Sequence, residues 1–217
     1  MTEVEDYNVE IFNEFSEEYD KWFEENEFIY KSELEAVKQF VPLTGIGLEI
    51  GVGSGRFAGP LGIKTGIEPS KAMAELARKR GIQVLETVAE ELFFEDESYD
   101  YVVMIVTICF VKDPVLALKE AHRVLKPGGN LIIGFIDKDS FFGKIYQEKK
   151  KDHKFYKEVT FYSASQIIIW MRKLGFSNIS VNQTLFKKPK EITAIEPVKP
   201  GFGDGGFVVI SGRKNKL

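Results

Sequence analysis

An α/β fold, a doubly wound and mostly parallel sheet with helices on both faces, is predicted by three features of the chain. From Gly45 onward short apolar runs alternate with helical patterns, the texture of parallel strands joined by helical crossovers. The first run, Gly47-Leu48-Glu49-Ile50, feeds directly into Gly51-Val52-Gly53-Ser54-Gly55, a turn that lets a strand pass abruptly into a helix. The 217 residues suffice for one domain with a real core, since about 70–75% of the unfolded surface is buried at this size.

Residues 1–44 read as an N-terminal helical lid of the same domain. Residues 1–27 hold eleven acids and one base, Lys21. Within them Phe12, Phe15, Tyr19 and Trp22 recur at spacings of three, four and three, one stripe of an amphipathic helix. Tyr30, Leu34, Val37 and Val41 mark a second helix, stopped by Pro42.

The remainder, 45–217, carries seven predicted strands. They are Gly47–Ile50, Lys64–Glu68, Gln83–Val88, Tyr101–Ile108, a run from the Pro127-Gly128-Gly129 turn to Phe135, Ile179–Phe186 and Phe207–Gly212. Ser70 caps a helix through Arg80, with Met73, Leu76 and Ala77 inward and Gly81 at its end. Asp113 caps another, with Pro114 at the first position and Lys126 at the last. Ser163-Ala164-Ser165-Gln166 matches a capping box for a helix that buries Ile167, Trp170, Met171 and Leu174 before Gly175. An aromatic-rich insert occupies about 138–162, and Pro189–Gly206 reads as a loop crossing a cleft mouth.

Composition narrows the classes. The single cysteine, Cys109, excludes an internal disulfide framework and fits a reducing compartment. The longest apolar run, Val102–Val111, is about half of the roughly 20 residues a membrane span needs. The acidic start, Met1 to Asp6, is unlike a basic targeting segment. A cytoplasmic protein with no membrane partner is the expectation. The net charge of −4 argues against an extended nucleic-acid surface. With two histidines and one cysteine, no metal site of ordinary spacing can be assembled. His122 reads as an edge-of-core residue, His153 as part of a charged run, and Cys109 as a small buried hydrophobe.

The glycine turn carries the chemistry. Its glycines permit close backbone approach, and the helix that follows presents free N–H groups to an anion. Nineteen residues after Glu49, the second strand ends at Glu68, where a carboxylate can accept hydrogen bonds from a ribose diol. Together these point to a nucleoside ligand. A dinucleotide fingerprint would need its third glycine where Arg56 stands, and no G-K-[ST] follows for a triphosphate loop.

From Glu49 through Gly55 the chain resembles the class I S-adenosylmethionine-dependent methyltransferases, in the type 11, ubiquinone- and menaquinone-biosynthesis-like group. The likeness continues in Gly66-Ile67-Glu68-Pro69-Ser70, Ala89-Glu90-Glu91-Leu92, Ser98 to Val103, Val111-Lys112-Asp113-Pro114 and Arg123 to Gly129. It covers roughly residues 45–135. The resemblance implies a last strand antiparallel to the rest and S-adenosylmethionine as cofactor. It places Glu49, Gly51, Val52, Gly53 and Gly55 around the methionine moiety and Glu68 on the ribose. Adenine is expected between Pro69 or Ser70 and the Val88-Ala89-Glu90 turn, and Thr107 near the sulfonium. Relatives often carry aspartate where Val88 stands and histidines around Cys109 and Phe110, so those contacts differ here, with Glu90 a substitute for the aspartate.

Methyl transfer from a sulfonium releases a neutral thioether and needs no acid. The protein has to align the groups and exclude water. Tyr19, Trp22 and Phe23, with Phe110, Phe141, Phe142, Tyr146, Phe155, Tyr156, Phe161 and Tyr162, are candidates for an aromatic lid and acceptor wall; ordinary packing is the alternative for each. Asp137 is the candidate base and Thr107 the other candidate catalytic residue. The expected acceptor is a small molecule, an amine by preference. RNA or protein acceptors form a second reading, although Thr107-Ile108-Cys109-Phe110 replaces the N/D/S-P-P-Y/F signature of base-amine methylation. A nucleoside-binding protein without transfer activity, or a nicotinamide oxidoreductase, is a third.

Overall fold

The structure, a computed structural model, describes residues 7–215, with side chains from Val9 onward. The acidic start, Met1–Asp6, lies outside the described residues. Three helices come first: α1 (Tyr7–Glu14), α2 (Ser16–Glu25) and α3 (Glu27–Lys38). The stripe expected to form one helix is broken at Phe15, whose φ of −118° and ψ of 29° leave the helical region. The break sets Tyr19 and Phe12 edge to face, with ring centroids 5.0 Å apart.

The strands are β1 (Gly47–Ile50), β2 (Thr65–Ile67), β3 (Gln83–Leu85), β4 (Tyr99–Ile105), β5 (Leu125–Ile136), β6 (Phe176–Thr184), β7 (Lys199–Pro200) and β8 (Phe207–Lys214). Between them lie α4 (Ala58–Leu61), α5 (Lys71–Lys79), α6 (Pro114–Val124), α7 (Phe141–Lys149) and α8 (Ala164–Lys173). They form one sheet in the order β3-β2-β1-β4-β5-β8-β6-β7. Strands β1 to β5 pair in parallel, and β8 runs antiparallel between β5 and β6.

The sheet has eight strands rather than the expected seven. The addition is β7, two residues at the edge against Asn182 and Gln183. It forms within the 189–206 stretch, which was expected over the cleft mouth. That stretch instead packs along β6 and α3: the Glu196 N–H donates to Ser32 Oγ at 2.8 Å, and the Phe186 N–H donates to Glu196 at 3.0 Å. Expected strand ends also move. β4 stops at Ile105 rather than Ile108, because Val106 turns the chain with a φ of +52°. The Pro127-Gly128-Gly129 turn is an excursion within β5, where the register slips between Tyr99↔Leu125 and Tyr101↔Asn130.

Caps follow the expected chemistry. Ser70 Oγ accepts from Met73 N, Asp113 accepts from the Val115 and Leu116 N–H groups, and Ser163 Oγ accepts from Gln166 N. The reciprocal half of the capping box is not made among the described residues. Period-two alternation gives each sheet face its own core. Val102, Met104, Leu131, Ile133, Val208 and Ile210 meet α6 and α8 on one face. Tyr101, Val103, Ile105, Ile132, Phe207 and Val209 meet α3 and α5 on the other. No described helix is long and apolar enough to cross a membrane.

The chain leaves β1 toward β2 on one side and returns to β4 on the other. That reversal opens a crevice at the carboxyl ends of β1 and β4, where ligands of such sheets bind.

Candidate functional site

A cavity of about 390 Å³ occupies this crevice. Its floor is Gly51 and Gly53 after β1, Ile67, Glu68 and Pro69 at the tip of β2, and Ile105, Val106 and Thr107 after β4. Val88, Ala89 and Glu90 form one side, with Lys112, Asp113 and Leu116 at the start of α6. The N-terminal helices close it with Val9, Phe12 and Tyr19, and Phe110 meets Phe12 edge to face at 5.3 Å.

Glu68 is the acid at the tip of β2. It is 7% exposed, and its two oxygens accept from the Gly53 and Ser70 N–H groups at 3.0 Å each. Each carboxylate oxygen keeps a second acceptor site. Burial pushes its pKa up to about 7, and the two backbone donors limit the rise. Gly51 has a φ of +70°, and a Cβ there would strike the Thr107 side chain. Only glycine lets β1 turn this close to the end of β4. The Thr107 hydroxyl lines the cavity and donates to the Ile105 carbonyl at 3.0 Å, so its proton is engaged within the protein.

Glu49 lies behind the turn beside a recess of about 40 Å³ shared with Tyr19, Gly51, Val52 and Gly53. It is 1% exposed, and its Oε2 has no hydrogen-bond partner. Burial raises its pKa well above the ordinary carboxylate value, and the nearby Glu68 adds to the rise. A buried carboxylate oxygen without a donor is costly unless a ligand supplies one.

Several expected site residues stand elsewhere. Gly55 packs against α5: its φ is +85°, and an added Cβ would meet Ile82 and Ala77. Ser70 lies under the cavity wall as the α5 cap and donates to Asn13 Oδ1 at 2.8 Å. Trp22 and Phe23 pack edge to face at 5.3 Å, and Phe23 is buried in the α3-side core near Phe57. Phe142 is 1% exposed beneath Gly206 with Phe141 against it, and Tyr162 packs on Trp170. None of these four aromatics beyond Tyr19 and Phe110 (Trp22, Phe141, Phe142, Tyr162) lines the 390 Å³ cavity, and Phe23 reaches only the small recess. Asp137, the candidate base, is 2% exposed and accepts from the Asp139 and Ala164 N–H groups at 3.2 and 3.3 Å, so it serves a loop outside the cavity. Glu90 lines the cavity, but its Oε1 is taken by the Lys112 and Asp113 N–H groups at 2.7 and 3.0 Å.

The comparisons with known proteins bear on this crevice. Residues 48–133 match the methyltransferase domain family. An uncharacterised protein of Methanocaldococcus jannaschii is 52% identical over 204 residues, 94% of this chain and 98% of that protein. A crystal structure from Thermotoga maritima, described as a SAM-dependent methyltransferase and possible histamine N-methyltransferase, is 54% identical. It superposes with a TM-score of 0.92 over 95% of this chain and 99% of that one. The chain belongs to the S-adenosylmethionine-dependent methyltransferases.

In this methyltransferase the residues present fit that cofactor. Glu68 has free acceptor sites for ribose hydroxyls, Gly51 and Gly53 leave room at the strand tip, and the orphaned Glu49 oxygen awaits a donor. Four residues escaped the sequence reading. Val9 and Met73 line the cavity as generic apolar helix residues. Val106 lines it with a β-branched side chain at φ +52°, a strained geometry that no local pattern announces. The fourth, outside the cavity lining, is Glu33 on α3, 4% exposed with no ion-pair or hydrogen-bond partner among the described residues. Burial lifts its pKa to about 8. In sequence it is one acid in a helix rich in them.

Proposed function

We propose that the protein transfers a methyl group from S-adenosylmethionine to a small-molecule amine inside the cavity roofed by its N-terminal helices. The observation that carries this reading is the joint position of Glu68, fixed by Gly53 and Ser70, and of aromatic side chains from the N-terminal helices in one cavity. When bound, S-adenosylmethionine supplies a methyl carbon activated by a sulfonium that departs as a neutral thioether.

The residues then divide the work. Glu68 accepts from the ribose hydroxyls, and the Glu49 oxygen receives a cationic donor of the methionine end. Val88, Ala89 and Pro69 supply apolar faces for the base. Thr107, pressed against Gly51, shapes the wall where the methyl group emerges and acts as a positioning residue. Phe12, Tyr19 and Phe110 exclude water, which matters because a solvated nucleophile and a solvated sulfonium both react slowly. Alignment in such a pocket contributes about 7–11 kcal/mol toward the barrier. No general base is required from Asp137, which is occupied elsewhere.

Residues 1–44 act as a lid in this reading, and donor and acceptor enter when α1 and α2 lift. An amine is favoured because its neutral nitrogen offers the lone pair that takes the methyl carbon, the positive charge passing from the sulfonium to the N-methylammonium product, and aromatic faces attract such cations by about 0.5–2 kcal/mol each. The Thermotoga maritima relative's description as a possible histamine N-methyltransferase points the same way. The test has two stages. Titration with S-adenosylmethionine, S-adenosylhomocysteine and NAD should show selective binding of the first two. Release of S-adenosylhomocysteine is then followed with amines, phenols, thiols and bulk RNA as acceptors, and turnover is expected with amines. Selective NAD binding, or turnover with RNA alone, would overturn the proposal.

A further inference from the structure

The chain between α7 and α8 backs the aromatic end of the cavity. After the short 3-10 turn Lys150–Asp152, residues 153–160 form no helix or strand, yet Phe155 is buried, at 8% exposure. Its ring stacks on Phe12 with centroids 5.4 Å apart and 22° between the planes, and it meets Tyr19 edge to face at 5.1 Å. Phe12 and Tyr19 line the 390 Å³ cavity, whereas Phe155 does not. The next residue, Tyr156, lies 5.8 Å from Phe110, the cavity's remaining aromatic wall. Two consecutive side chains thus sit behind all three aromatic walls.

This segment is pinned from both sides. Lys154 Nζ donates to Glu18 on α2 at 2.7 Å and stands 3.8 Å from the centre of the Phe15 ring. The Thr160 N–H donates to the Cys109 carbonyl at 3.0 Å, one residue before Phe110. These ties hold Phe155 between the roof and the loop after β4, and nothing in the cofactor reading uses it. Protein interiors are packed to the density of organic crystals, so the place of a wall ring follows from the ring behind it.

We propose that Phe155 is a positioning residue for the acceptor: stacked behind Phe12 and Tyr19, it fixes how far the aromatic end of the cavity reaches and so sets the largest acceptor that is methylated. The proposal rests on the reading above that an amine acceptor occupies this cavity. A smaller side chain at this position leaves a void into which the two wall rings tilt. Bulky acceptors then gain room, while small ones lose the contact that keeps their nitrogen in line with the methyl carbon.

The test compares wild type, Phe155→Leu and Phe155→Ala in steady-state methylation of phenethylamine and of the bulkier 2-(1-naphthyl)ethylamine, followed by S-adenosylhomocysteine release. In Phe155→Ala the kcat/KM ratio of the naphthyl to the phenyl amine should rise about tenfold, with kcat for phenethylamine reduced. Phe155→Leu keeps most of the side-chain volume and should move the ratio in the same direction by about threefold. A ring that only stabilises the fold would lower both amines alike. A rise below about threefold in Phe155→Ala, or no rise in Phe155→Leu should the alanine variant not fold, removes Phe155 from acceptor positioning and leaves the amine reading standing. Turnover of neither amine by wild type overturns that reading and the role of Phe155 together.

Discussion

Glu68 holds two jobs with one carboxylate. It braces the turn through the Gly53 and Ser70 N–H groups, and it faces the cavity. Its pKa of about 7 without ligand means that a ribose, which binds the charged form, competes with a proton near neutrality. S-adenosylhomocysteine affinity should therefore weaken as pH falls below about 7 and level off above it, and Glu68→Gln should flatten the dependence. Glu68→Ala removes the same acceptor and also strands two backbone donors. A loss of about 1.5–3 kcal/mol per ligand hydrogen bond is expected, read as a weaker dissociation constant by calorimetry. An unchanged constant in Glu68→Ala would take this residue out of the site. The glycines beside it divide by geometry. Gly51 is fixed by its approach to Thr107, whereas Gly55 answers to Ile82 and α5.

Among the elements, α1 and α2 are joined to the main sheet domain by polar latches as well as by aromatic packing. Asn13 Oδ1 accepts from Ser70 Oγ and from the Ala72 N–H at 2.8 and 3.2 Å, so a residue of the proposed lid caps α5. Asp20 takes Arg56 Nε and Nη2 at 2.8 and 2.6 Å and Arg80 Nη2 at 2.8 Å. Burial alone would raise the Asp20 carboxyl, yet the hydrogen bonds from Arg56 and Arg80 hold it at about 2. Arg56 directly follows the glycine turn, so the latch ties the roof to the turn proposed to hold the cofactor. Asp20→Asn should loosen α1 and α2 by about 1–3 kcal/mol while leaving the sheet intact. Hydrogen exchange of the two helices in the presence of S-adenosylhomocysteine reports this directly. Faster exchange confined to α1 and α2, with faster ligand release, is the expected result; identical exchange in both proteins would mean that aromatic packing alone holds the roof.

For the whole molecule, four buried carboxyls among the described residues, Glu33, Glu49, Glu68 and Asp137, have raised pKa values in the absence of ligand. An acid whose folded pKa lies above its unfolded value favours folding at low pH and loses that contribution as pH rises through the folded value. For Glu68 and Glu33 that window runs from about 4.5 to about 7 and about 8. Thermal midpoints of the ligand-free protein should thus fall between about pH 4.5 and 8, and Glu33→Gln should be the more stable protein at the upper end. Midpoints that stay level, or that fall equally in Glu33→Gln, would contradict a buried, unpaired Glu33. The same ledger of local and distant causes separates what was legible in the chain. The strand–turn–helix at Gly51, the acid at Glu68 and the caps at Ser70, Asp113 and Ser163 depend on neighbours within a few residues, and the sequence by itself determined them along with the parallel strands and the family. Tertiary structure decided the rest: which aromatics roof the cavity and which, like Phe142 and Phe23, fill the core; where Pro189–Gly206 lies; and that Glu33 is enclosed without a cation. Those outcomes depend on residues distant in the chain, and an aromatic stripe or a helical acid looks the same in sequence whether its neighbour in space is a ligand, water or another side chain.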